Sequence, residues 1–221
     1  MSSSELVTLY SIYEPTANPI SYVRSQFYDE QIALAQWDKL YQYWVWIINI
    51  FLVNRAWEII IQKRSSHKRH NPNLLDKSIW WHIQRWDPVD YTVMVETVQE
   101  LQVPSVVIRE DDDFEKRYEL LHDYLNTIAL IKHVDTKMIQ LKKIINWETV
   151  PLYNMTHIFF GVYGGSVKNV DREAKWILYY DIDELVQEMN DTPSQFTDDL
   201  HTYLKLYGEE LRSFIDFIKE E

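Results

Sequence analysis

The stretch YWVWIINIFLV, Tyr43 to Val53, constrains this chain more than any other part of it. Its only strongly polar side chain is Asn49, and Asp38, Lys39, Arg55 and Glu58 bracket it closely. A membrane-spanning helix needs about 20 apolar residues. This run is too short for that, so it belongs inside a folded core. Trp37, Leu40, Trp44, Ile47 and Phe51 recur at helical spacing. The reading is a helix from about Gln26 to Arg64, apolar on every side past Tyr43 and buried all round. Burial in an oligomer interface is the second reading of the run. In either case Asn49 needs a hydrogen-bonding partner on a neighbouring element.

The remaining pattern is read from punctuation and period. Residues 1–24 carry Pro15 and Pro19 and form an extended arm, with a short strand at Leu6 to Tyr10. Asn71-Pro72 and Asp87-Pro88 each look like a cap followed by proline, starting helices over about 72–86 and 88–101. Ser105 to Ile108 is a short β-branched strand. A long helix follows, with acids in its first turn and Phe114, Tyr118, Leu121, Leu125 and Ile128 as its stripe. The pattern breaks near His133–Asp135 and resumes to about Trp147. Thr156–Gly164 and Ala174–Tyr180 read as an antiparallel pair of strands. Thr192-Pro193-Ser194-Gln195 has capping-box form and opens a final amphipathic helix to about Ile218. The expected fold is α+β and mainly helical, a single domain over 1–221. It has long buried helices and a small antiparallel sheet in the C-terminal half.

Composition removes several chemistries. There are four glycines, and the only adjacent pair is Gly164-Gly165. Gly-rich phosphate loops are absent, and few positions should need positive φ. There is no cysteine, which excludes disulfides, zinc thiolates and thiol nucleophiles and suits a reducing, cytoplasmic setting. The N-terminus has neither the basic nor the apolar region of a secretory signal. A net charge of −12 disfavours general nucleic-acid binding and suits docking on a basic partner. The basic segment Lys63 to His70 reads either as a solvated helix end or as a nucleic-acid patch.

Three local patterns carry candidate chemistry. WILYYDIDELV, residues 176–186, resembles the metal-binding segment of nucleotide-sugar glycosyltransferases, where an apolar strand ends in Asp-x-Asp. That resemblance implies that Asp181 and Asp183 hold a divalent cation. The alternative is that one of them caps a helix beginning near Glu184. Arg64 and His70 have the spacing of the Arg-x4-6-His element of HEPN ribonucleases. That resemblance implies metal-independent RNA cleavage; the alternative is a solvated basic loop. Glu173-Ala174-Lys175, with Asp171 nearby, resembles the Glu-x-Lys of restriction-type nucleases, though the preceding strand offers no acid. Trp81, Arg85 and Trp86 lie close together on the expected helix, as interface hot-spot residues or as core.

The reading carried forward is a non-catalytic acidic interaction module. It would dock on a protein partner of basic character or form a homo-oligomer, with no cofactor and no membrane span. A HEPN-like ribonuclease using Arg64 and His70 and a glycosyltransferase-like enzyme using Asp181 and Asp183 are the alternatives.

Overall fold

The structure is a computed structural model that describes residues 5–14, 16–36, 43–109, 111–145, 148–168 and 174–220. In chain order the elements are β1 (Leu6–Ser11), β2 (Ile20–Val23), α1 (Arg24–Gln36), β3 (Tyr43–Val53), β4 (Ile59–Arg64), β5 (Leu75–Asp76), β6 (Ile79–His82), α2 (Val89–Leu101), β7 (Ser105–Ile108), α3 (Asp111–Leu121), β8 (Ala129–Ile145), β9 (Glu148–Val162), β10 (Ala174–Tyr180), α4 (Ile182–Asp191) and α5 (Asp198–Glu220). All ten strands join one mixed sheet with the main order β10-β4-β3-β9-β8-β7. The expected mainly helical fold with a small sheet is therefore corrected: a large sheet is the frame, and helices cover both of its faces.

The apolar run Tyr43–Val53 is β3, not a helix. It pairs in parallel with β9 from Trp44↔Tyr153 to Val53↔Val162. Its other edge is shared in succession by β1, β6 and β4. A central strand covered on both faces reads as a continuous apolar run. Val45, Ile47, Ile48, Ile50 and Val53 are β-branched, which suits a pleated strand better than a helix. The helical spacing was uninformative, because any wholly apolar run contains it. Asn49 finds its expected partner across the core, donating from Nδ2 to the Tyr203 hydroxyl at 2.9 Å.

Further corrections have the same origin. The stretch expected as a helix over 72–86 is the strap β5–β6, and Trp80 and Trp81 pair with Asn49 and Ile48 of β3. The segment resuming past His133 is β8, which forms a long antiparallel hairpin with β9. Beyond Met138 its residues alternate between buried and exposed, as a strand requires. The expected antiparallel pair of Thr156–Gly164 and Ala174–Tyr180 does not form: β9 lies between β3 and β8, while β10 pairs with β4. Strand β1, helix α2, strand β7 and the start of α3 lie where the sequence pattern placed them. Trp37, Leu40, Glu173 and Asp171 lie outside the described residues.

Odd-numbered residues of β3, from Val45 to Val53, face a core closed by α3, α4 and α5, which includes Phe114, Leu185, Leu211 and Ile215. Even-numbered residues Ile48, Ile50 and Leu52 face a second core with Val93, Leu101 and Val103, on and just after α2. The scarcity of glycine did not remove positive φ. Among the described residues Trp57, Asn71, Asn73, Trp86 and Gln102 take it, and no glycine does. Gln102 closes α2: its N–H bonds to Val98 O at 3.0 Å, and the Val103 N–H to Thr97 O at 2.9 Å. The bond from Gln102 to Val98 is that of the αL cap, with glutamine in the left-handed position that usually takes glycine.

Among the described residues no helix is long and apolar enough to cross a membrane.

Candidate active site

The two strands following the buried run do not zip up. Strand β3 touches β4 only at Val53↔Ile59, because β6 takes its edge from Ile47 to Ile50. The strap β5–β6 enters the split. There Ser78 Oγ accepts from Leu52 N at 2.7 Å and donates to Ile60 O at 2.6 Å, standing in for the missing ladder bonds. Polar side chains gather where the ladder is open. Gln62 Nε2 donates to Ser78 O and, at 2.9 Å, to Glu100 Oε2 on α2. Glu100 and Glu96, one helical turn apart, are both buried on the inner side of α2. The outer side of that helix carries Tyr91, Met94 and Val98. Helix α2 thus buries two acids beside Val93 and Leu101 and leaves three apolar residues exposed, a departure from an ordinary surface helix.

Cations border the same crevice. Arg64, Lys68 and Lys77 line it with Asp76 and Glu100, and the enclosed space is about 20 Å³, room for roughly one water. Asp76 is the hub. It accepts from Lys77 Nζ at 3.0 Å, Arg64 Nη1 at 3.2 Å and Thr197 Oγ1 at 2.9 Å. Burial pushes its carboxyl up, but Lys77 and Arg64 outweigh that and hold it at about 2. Lys77 also reaches Asp199 at 3.5 Å, and Lys143 lies 3.8 Å from the same carboxylate with its ammonium 3.3 Å above the Trp80 ring. Burial pulls Lys143 down to about 7; Asp199 resists, while Lys77 and Arg64 add to the fall.

Arg64 and His70 are brought together, but through the backbone: Arg64 Nε and Nη2 donate to the His70 carbonyl at 3.3 and 3.2 Å. The His70 ring packs against Trp80, and burial followed by Arg64, Lys143 and other nearby cations holds it well below the usual histidine range. Asp181 and Asp183 stand past the end of β10. Asp181 is the N-cap of α4, accepting from the Asp183 N–H at 2.8 Å, and Asp183 pairs with Arg212 at 2.9 Å. Trp81 is buried with the Arg24 guanidinium 3.8 Å from its ring centre. Trp86 is 84% exposed, with the Arg85 guanidinium 4.5 Å away. These three residues do not form one surface, and neither a basic partner nor a homo-oligomer follows from their placement. Among the described residues no group of three or more histidines and acids could hold a metal ion by itself.

Sequence reasoning missed Gln62, Asp76, Lys77, Glu96, Glu100, Lys143 and Asp199. One signal was available for α2: Glu96 and Glu100 sit four apart inside the apolar stretch VMVETVQEL.

No family model and no curated protein matches the sequence. The fold does match solved α/β structures. The DR0079 protein from Deinococcus radiodurans aligns over 91% of this chain and 98% of its own, with a TM-score of 0.59 at 14% identity. A bifunctional NMN adenylyltransferase/ADP ribose pyrophosphatase from Francisella tularensis, solved with AMP and a manganese ion, aligns over 85% of this chain and 47% of its own. Its TM-score is 0.50 at 9% identity. A NUDIX-family hydrolase from Clostridium perfringens aligns over 76% of this chain and 97% of its own, with a TM-score of 0.44 at 12% identity. The fold so shared is not the helical architecture expected, and the non-catalytic docking module, which was drawn from acidity and aromatic content, is withdrawn with it. The HEPN-like ribonuclease and glycosyltransferase-like readings go with it.

Proposed function

We propose that the chain is a hydrolase acting on a phosphate-bearing small molecule at the sheet split. The observation that carries this reading is the inward-facing pair Glu96 and Glu100, one turn apart on α2, beside a crevice lined by Arg64, Lys68 and Lys77. Hard divalent cations such as Mg²⁺ are held by one or two carboxylates, with substrate phosphates and water completing the shell. The α2 pair is an all-oxygen donor set of that kind, so the residues fit such a cation as two of its ligands. When bound, the cation neutralises phosphate charge and makes a water easier to deprotonate. Gln62 fixes the Glu100 carboxylate by donating to Oε2. Arg64 and Lys68 put positive charge at the crevice, where phosphoryl oxygens would lie, while Lys77 is committed to Asp76 and Asp199. The crevice has room for about one water, so the body of the substrate lies outside it.

The pyrophosphatase neighbour makes ADP-ribose the first substrate to test. The purified chain is incubated with Mn²⁺ and a panel of ADP-ribose, nucleotide sugars and dinucleotides, and products are separated by chromatography. The reading expects AMP or another nucleoside monophosphate, with the rate reduced at least about a hundredfold in Glu96→Gln or Glu100→Gln. No turnover across the panel, or undiminished turnover in both variants, contradicts it. As part of the same reading, the cysteine-free chain works in the cytoplasm, where thiols stay reduced.

A further inference from the structure

On the opposite face of the sheet from α2, a cleft of about 710 Å³ opens between α3, α5 and β8. That is within the usual size of a small-molecule pocket, roughly 300–1,000 Å³. Its inner wall is aromatic: Phe114 from α3 and Phe214 and Phe217 from α5 pack with centroids 5.4 to 6.1 Å apart. Its rim is acidic. Glu115, Glu209 and Glu210 are exposed there, and half-buried Asp135 accepts from the Tyr207 hydroxyl at 2.8 Å. Among the described residues the cation lining it is Lys132, whose ammonium lies 5.9 Å from the Phe114 ring centre.

We propose that this cleft binds a small organic cation, an ammonium group on an apolar body. Among the described residues the lining sets four carboxylates against one ammonium, which repels phosphates, so the ligand differs in class from the substrate proposed for the split. A cation is favoured by the rim charge, and its apolar part by contact with half-buried Phe217 and the small exposed parts of Phe114 and Phe214. A protein segment is a poorer fit, because the space is concave and the size of one small molecule.

The test uses the full chain in ¹H–¹⁵N NMR titrations with three probes of one shape: 2-phenylethylammonium, phenylethyltrimethylammonium and phenylacetate. Both cations are expected to give saturable shifts on α3, α5 and the start of β8, and the anion none. The double variant Glu209→Gln/Glu210→Gln changes exposed residues that leave the core intact, and should weaken cation binding by about tenfold. Absence of cation-induced shifts in the cleft, equal binding of phenylacetate, or unchanged affinity in the double variant overturns the proposal. Neither Mn²⁺ nor hydrolysis enters these readouts, so the cleft and the split are judged separately.

Discussion

Replacing Asp76 by Asn probes the polar split at its centre. Asp76 is buried and faces two cations, Lys77, which is fully buried, and Arg64. The fall of its pKa from 3.8 to about 2 corresponds to about 2 kcal/mol in favour of the charged form. The amide keeps the shape and, through Oδ1, the bonds from Thr197 and Lys77, but it removes the charge and turns an NH2 toward Arg64, so that Asp199, at 3.5 Å, is the carboxylate left to balance Lys77. Removing one member of a buried ion pair costs about 3–5 kcal/mol, because the other charge stays desolvated. The expected loss for Asp76→Asn is therefore about 3 kcal/mol, a large share of the roughly 5–15 kcal/mol that holds a domain together. Urea unfolding followed by circular dichroism measures it, with an unchanged slope as the check on comparability. Adding Lys77→Met to the variant removes the stranded cation and should restore about half of the loss, a non-additivity that a double-mutant cycle reads directly. A loss below about 1 kcal/mol, or strict additivity, would refute the view of Asp76 as the hub of a desolvated network.

Three other outcomes follow. His70 and His82 are held below their ordinary pKa by burial first and by neighbouring cations second. Below about pH 6.5 the unfolded chain binds protons that the fold refuses, so stability should fall on acidification. Lys143, at about 7 in place of 10.5, extends the same slope upward: between those values the unfolded chain keeps a proton the fold has shed, so stability rises with pH. Denaturation at pH 5, 7 and 9 should show a steady rise, and Lys143→Met should flatten its alkaline part. Gln102→Gly relieves a left-handed residue at the exposed end of α2 and should stabilise by about 0.5–1 kcal/mol, read as a higher melting temperature. Gly165→Ala drives a methyl into the Asn126 carbonyl oxygen and the Tyr163 ring and should destabilise by about 1–3 kcal/mol in urea unfolding.

What the sequence disclosed depended on which physical signal each segment carried. The body of α5 was legible because its apolar stripe is one-sided, with Tyr203, Tyr207, Leu211 and Ile218 inward, but its start was not: Thr192 makes no capping bond, a short turn fills 193–195, and Thr197 caps the helix by accepting from the Leu200 N–H at 3.2 Å. Helix α2 was legible from Asp87-Pro88, although its buried acids and exposed apolar residues blur the period. Strand β3 was not legible, because burial on both faces erases the alternation that identifies a strand, and Asn49 gave no directional hint. In β8 the alternation of Ile139, Gln140, Leu141 and Lys142 was on the page, but the preceding helical stripe drew the reading past it. The split could not be seen at all, because Gln62, Asp76, Glu100, Lys143 and Asp199 are scattered through the chain and meet only through sheet topology. Glycine scarcity misled in one respect: Trp57, Trp86 and Gln102 take left-handed backbone that was expected to be rare.

The central claim is that the inward carboxylates of α2 are ligands for a divalent cation. Calorimetric titration of the purified chain with Mn²⁺ tests it most directly. The account predicts saturable binding to the wild type that disappears in Glu96→Gln/Glu100→Gln; no binding, or binding that persists in that variant, contradicts it.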